Sequence, residues 1–199
     1  MLDLFLRKGA DHRLRGGHLW VYSNEVDSAR SPLGGFSAGD LVAVRNTNDR
    51  LLGSAYMEPN SLICARVYAP GEQRALDAQL LTARLAAALA TREEAFDQPF
   101  YRLVYGDSDT LPGIVIDRFG DILVLQLNND GLEHYREPLL AALVALLQPS
   151  GILLRADSRS RREQGLATDS AVLYGDVPQQ VPLQENGVHF LAPVYTGQK

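Results

Sequence analysis

The stretch Tyr101-Arg102-Leu103-Val104-Tyr105-Gly106-Asp107-Ser108-Asp109-Thr110-Leu111-Pro112-Gly113-Ile114-Val115-Ile116-Asp117-Arg118-Phe119-Gly120 decides how the second half of the chain is read. It predicts a strand at 101–105, a polar loop at 106–113 and a strand at 114–119. A Gly120-Asp121 step then leads into a third strand at 122–127, a hairpin signal between β-rich runs. Upstream, 77–96 is rich in Ala and Leu. Leu81, Leu85 and Leu89 recur every four residues, which predicts a helix with one apolar stripe. Downstream, a helix is expected over 132–147. Pro138 makes it start late or kink, because proline lacks an N–H and clashes with the preceding turn. A strand at 152–155 follows. Runs at 181–184 and 188–191 flank Glu185-Asn186-Gly187, where Asn-Gly predicts a tight hairpin.

The first part of the chain reads differently. Short strand candidates at 41–44, 51–55 and 62–68 are separated by Gly34-Gly35, Gly39-Asp40, 46–49 and Pro59-Asn60. Such spacing suggests a small barrel or sandwich. Ala69-Pro70-Gly71-Glu72 punctuates the chain, so the expected organisation is α+β: a β-barrel domain at 1–72 and an α/β domain at 73–199.

Composition narrows the function. With 46% hydrophobic and 22% charged residues over 199 positions, the chain reads as globular rather than disordered. No apolar run approaches the roughly 20 residues that span a bilayer. In Met1-Leu2-Asp3-Leu4-Phe5-Leu6-Arg7-Lys8 the basic residues follow the apolar ones, which argues against a signal peptide. The single cysteine, Cys64, excludes an internal disulfide framework and a cysteine-based zinc cluster. A cytoplasmic location and no membrane partner are expected. The net charge of −5 argues against non-specific coating of nucleic acid, but a local basic face can still bind RNA. Residues 7–20 hold Arg7, Lys8, Arg13 and Arg15 against Asp11 alone, with His12 and His18 among them. A second basic cluster comprises Arg155, Arg159, Arg161 and Arg162.

No catalytic, cofactor-binding or metal residue is assigned. Gly16-Gly17 and Gly34-Gly35 are isolated pairs, not a dinucleotide or phosphate-binding loop. No His-x-Glu with paired cysteines occurs. His12, His18, His134 and His189 lack metal-ligand spacing on a predicted helix. Cys64, between Ile63 and Ala65, reads as a small buried hydrophobe. Asp107 and Asp109 could ligate Mg²⁺ or Ca²⁺, but a turn that caps its own backbone and closes with Pro112-Gly113 is the preferred reading. Asp117 and Arg118 could pair with each other, which would be structural. Arg7, Lys8, Arg13, Arg15, His18 and Trp20 combine cations with an aromatic, a set that can neutralise phosphates and stack bases. Trp20 by itself reads as a core anchor.

Four stretches together form a recognisable pattern. They are Arg7-Lys8-Gly9 through Arg13-Leu14-Arg15-Gly16-Gly17-His18-Leu19-Trp20-Val21-Tyr22, the 101–120 stretch, Arg155-Ala156-Asp157-Ser158 through Arg161-Arg162-Glu163-Gln164-Gly165-Leu166, and Gln184-Glu185-Asn186-Gly187 with Thr196-Gly197-Gln198-Lys199. In these the chain resembles the large-subunit rRNA cytosine-C5 methyltransferase family, class I enzymes that use S-adenosylmethionine. The resemblance implies a PUA-like RNA-binding domain, to which Gly39-Asp40-Leu41-Val42-Ala43-Val44 and the Gly53-x-Ala55 strand are similar, and then a central α/β domain. It also implies that the family's Rossmann-like catalytic domain begins close to Lys199. The cofactor loop and catalytic cysteines would then lie beyond this truncated chain, and Cys64 matches neither catalytic position. Cytosine-C5 methylation needs a thiolate that adds to the ring, so the fragment is expected to be inactive, with S-adenosylmethionine belonging to the parent protein.

The leading expectation is therefore an RNA-binding, substrate-orienting module. Arg7, Lys8, Arg13, Arg15 and His18 would contact phosphates, and Arg159, Arg161 and Arg162 would flank the RNA path. Its expected partners are large-subunit rRNA and the missing methyltransferase domain. The alternative is a protein-interaction or homodimerisation module. An enzyme built on Asp107 and Asp109 ranks last.

Overall fold

The computed structural model describes residues 1–185 and 187–196. The first unit contains β1 (Leu2–Phe5), the one-turn helix α1 (His12–Arg15), β2 (Trp20–Tyr22), β3 (Leu41–Arg45), β4 (Leu51–Met57) and β5 (Ile63–Pro70). These five strands form one sheet in the order β1-β3-β4-β5-β2. β1 runs parallel to β3, from Leu2↔Val42 to Phe5↔Arg45, and the other pairs are antiparallel. Successive side chains on a strand point to opposite faces. One face thus gathers Leu4, Leu6, Val42, Val44, Met57 and Cys64 into a core in which none of the six is more than 1% exposed.

The expected barrel is not closed. Among the described residues no ladder joins β1 to β2. β2 has only three residues, and the chain leaves it through a 3-10 turn at Ser23–Glu25, so too little strand remains to pair along β1. Backbone bonds cross the gap instead. Arg7 N–H donates to Glu25 O and Asp27 N–H to Phe5 O, each at 2.8 Å, around a single Leu6↔Val26 bridge.

The second unit opens with α2 (Ala78–Ala95) and continues through β6 (Phe100–Tyr105), β7 (Ile114–Phe119) and β8 (Ile122–Leu127). The one-turn helix α3 (Asp130–Glu133) belongs to the first unit; after it the second unit resumes with α4 (Arg136–Leu147), β9 (Gly151–Leu154), α5 (Arg159–Glu163) and β10 (Ala171–Gly175). The hairpin strands β11 (Val181–Glu185) and β12 (Val188–Ala192) end the series. The sheet order is β10-β9-β8-β7-β6, antiparallel except for β8 and β9. That parallel pair needs a crossover connection, and α4 lies in it. α2 buries Leu80, Leu81, Leu85 and Ala88 and packs on α4. The buried stripe drifts from the expected Leu89 to Ala88 because a helix repeats every 3.6 residues, not four. Pro138 falls in the first turn of α4, where no intrahelical N–H bond is needed, so the helix starts late, at Arg136.

Gly120, at φ 67°, turns the β7–β8 hairpin, and Phe119 pairs with Ile122 as expected. The β11–β12 ladder runs from Val181↔Ala192 to Glu185↔Val188, while Asn186 of the expected turn and residues 197–199 lie outside the described residues. Asp117 and Arg118 find other partners than each other. As strand neighbours they point to opposite faces, so Asp117 takes Arg102 (2.8 Å) and Arg118 bonds the Tyr101 hydroxyl (2.9 Å). The first compact unit comprises Met1–Asp77 together with Asp130–Tyr135; the second takes the remainder. Among the described residues no helix is long and apolar enough to cross a membrane.

Candidate nucleic-acid interface

The basic N-terminal segment leaves β1 and folds back over a single helical turn. Arg7 is exposed, and its Nε donates to Val26 O at 2.9 Å, an anchor that leaves its charge uncancelled. Lys8 is exposed next to it. Within α1, Arg13 lies over the Tyr22 ring at 4.5 Å and pairs with Glu25 at 3.2 Å, so part of its charge is spent inside the unit. Arg15 reaches Asp11 at 3.7 Å, but its side chain is 61% exposed and such a surface pair is weak. His18 is exposed, its N–H held by Arg13 O at 3.0 Å. Trp20 is half-buried and sits directly across from Arg66 in the β2–β5 ladder. Arg66 was absent from the sequence reading. The β5 register brings it beside Trp20.

The second basic cluster does not present four cations. Arg155 is buried and pairs with Asp157. Arg161 is 3% exposed; its guanidinium donates to Leu127 O at 2.8 Å and Ala167 O at 2.9 Å. It ties the loop after β9 to the end of β8. Ser158 caps α5 by accepting from Arg161 N–H. Arg162 is exposed, and Arg159 is exposed with its Nε on Glu163 at 2.6 Å.

In the Gly106–Asp109 turn, the Asp109 carboxylate accepts from Tyr105 N–H at 2.6 Å and from both terminal nitrogens of Arg92, at 2.6 and 2.7 Å. This is the self-capping turn, reinforced from α2. No group of three or more His, Cys, Asp or Glu residues poised for a metal ion occurs among the described residues. Cys64 is fully buried, and burial pushes its thiol up to about 12. The β8–β9 crossover carries no glycine-rich loop, and the Asn128 carbonyl at the end of β8 accepts from Ser160 Oγ and Gln164 Nε2.

The chain's relatives are consistent with this geometry. A PUA-like domain model matches residues 4–70. A protein named ribosomal RNA large subunit methyltransferase I, from Shewanella denitrificans, is 35% identical over 198 residues, covering 98% of this chain and 49% of the relative. Its counterpart from Erwinia tasmaniensis is 35% identical over 202 residues, with coverage of 98% and 50%. The chain is similar to the N-terminal half of these methyltransferases. It spans about half the length of the methyltransferase I relatives it matches. Two solved candidate methyltransferases share the fold. One, from Streptococcus mutans and named SAM-dependent, superposes with a TM-score of 0.79 at 21% identity, covering 99% of this chain and 50% of that one. The other, complexed with SAH, gives 0.81 at 20% identity, with coverage of 100% and 49%. The architecture of this chain is thus α+β: a PUA-like sheet unit followed by a mixed-sheet unit.

Proposed function

We propose that this chain is the RNA-binding, substrate-orienting part of a cytoplasmic rRNA methyltransferase, silent in catalysis by itself. The parent protein would use S-adenosylmethionine to form 5-methylcytosine in large-subunit rRNA. The observation that carries the reading is the exposed set Arg7, Lys8, Arg15 and His18 on the PUA-like unit, with Arg13 beside it and Trp20 next to Arg66. Cations there neutralise phosphates and set the register of an RNA, while base discrimination is left to the catalytic half. The 5-methylcytosine assignment rests on the sequence resemblance. Arg159 and Arg162 would contact RNA from the second unit, and Arg161 would act by holding their loop.

The test is binding of a large-subunit rRNA fragment across a salt series. Affinity should fall steeply with salt. Changing Arg13 and Arg15 together to Ala should weaken binding and flatten the log–log salt slope by about 1.4, the release expected for two single-strand phosphate contacts. Affinity indifferent to salt would refute the reading. Calorimetric titration of S-adenosylmethionine into this chain should give no heat of binding.

One observation favours a second reading, a protein-interaction or homodimerisation surface. Val188 and Phe190 on one face of β12 are 53% and 48% exposed, and Leu191 on the other is 62% exposed, apolar area such as protein contacts cover. A concentration-independent monomer by light scattering would count against self-association.

A further inference from the structure

The second unit carries an arginine–aromatic groove that the basic clusters do not account for. Arg92, Phe96, Tyr101, Arg102, Tyr105 and Asp117 line an open hollow of about 530 Å³. Phe96 follows the last turn of α2, and the rest come from α2 and the β6–β7 hairpin. Phe96 and Tyr101 have ring centroids 5.5 Å apart, and Phe96 is 51% exposed. A bulge between Arg102 and Val104 shifts the β6 register, and the Arg102 guanidinium lies 5.2 Å from the centre of the Tyr105 ring, itself 58% exposed. Arg118 stands 5.7 Å from the Tyr101 ring.

The guanidiniums are held in place. Arg92 is clamped by Asp109 through two bonds, and Arg102 by Asp117 at 2.8 Å. Exposed flat rings beside fixed guanidinium planes are the surface on which unstacked bases pile, because every base has a π-face. The two guanidiniums that line the groove are matched by Asp109 and Asp117, so the groove itself carries little net charge. Glu93, Glu94 and Asp97 nearby in the chain keep the wider field from being basic.

We infer that this groove is a stacking platform for one or two unpaired bases of single-stranded RNA, with Phe96 and Tyr105 as its accessible rings. It rests on the RNA-binding reading only for the choice of nucleic acid. Attraction here comes from stacking, so it is much less sensitive to salt than the basic face of the first unit.

The probes are a fluorescein-labelled uridine hexamer, read by anisotropy, and the same hexamer carrying 5-iodouridine for photocrosslinking, both with the full chain. Removing either ring, by Phe96→Ala or Tyr105→Ala, should weaken hexamer binding roughly five- to a hundredfold. Tyr105→Phe should restore it, and crosslinks should map to Phe96, Tyr101 or Tyr105. Arg13→Ala with Arg15→Ala should weaken the rRNA fragment and flatten its salt slope while hexamer crosslinks at Phe96, Tyr101 or Tyr105 persist, so the two sites fail separately. Unchanged hexamer binding in both ring variants, or crosslinks confined to residues 7–20, would overturn the platform. So would a dimer that light scattering finds in the parent chain and not in Tyr105→Ala, since the groove would then be a protein contact.

Discussion

Glu58 Oε1 accepts a hydrogen bond from the backbone N–H of Gly131 at 2.6 Å, across 73 positions of chain. The carboxyl follows β4 and is 4% exposed. Burial pushes its proton affinity above the ordinary value of 4.5; the Gly131 bond, Arg66 and His134 oppose that rise, and Asp130 adds to it. The folded chain therefore binds this proton more tightly than the unfolded chain does. Stability from this group is complete below 4.5 and declines as pH rises through the folded value. Urea midpoints measured from pH 4 to 8 should show that decline in the parent and not in Glu58→Gln, whose amide oxygen can still accept from Gly131. Identical pH profiles would refute the account.

Gly131 is also packed too tightly for a side chain. A Cβ there would lie 2.8 Å from Gly39 N and 2.9 Å from both Glu58 Oε1 and Met57 O. Backbone atoms cannot step aside cheaply, so Gly131→Ala should cost about 1–3 kcal/mol. Gly34→Ala, with nothing within 4 Å, should be near neutral, and chemical denaturation of both variants checks the contrast.

The Arg92–Asp109 pair is largely buried, with side chains 16% and 8% exposed. Removing one partner strands the other. Asp109→Ala also leaves the Tyr105 N–H without its carboxylate. The expected loss is about 3 kcal/mol, at the low end for a buried pair because Arg92 keeps some solvent. Millimolar Mg²⁺ or Ca²⁺ should not shift the melting temperature of the parent; a clear rise would revive the metal reading of Asp107 and Asp109.

Burial holds the Cys64 thiol at about 12, and the thiolate is the form that reacts. At pH 8 the native chain should resist iodoacetamide, while the chain in urea alkylates fully. Mass spectrometry over a time course reads the difference. Fast native alkylation would mean that the β2–β5 edge opens readily.

Arg161 and Arg162 are neighbours with opposite tasks. Arg161→Ala removes the donors to Leu127 O and Ala167 O and should cost about 1–3 kcal/mol, with faster amide exchange over 155–167. Arg162→Ala should leave exchange unchanged and act, if at all, on RNA affinity.

Local signals carried much of this fold. The Ala/Leu run became α2, Gly120-Asp121 became the β7–β8 turn, and Pro138 marked the start of α4, because each depends on backbone preferences within a few residues. The four motif stretches that carried the family resemblance were equally legible. β1 and β2 were not. β1 is four residues long and is a strand only because β3, about forty positions on, supplies its partner. Three-residue β2 likewise needs β5. The sequence listed arginines without ranking them. Only packing set Arg161 and Arg155 inside, left Arg7, Arg15 and Arg162 outside, paired Asp117 with Arg102, and put Trp20 beside Arg66. Elements follow from short-range sterics and hydrogen bonding, which a sequence displays. Burial and charge pairing follow from contacts between distant segments, and those exist only once the chain has folded.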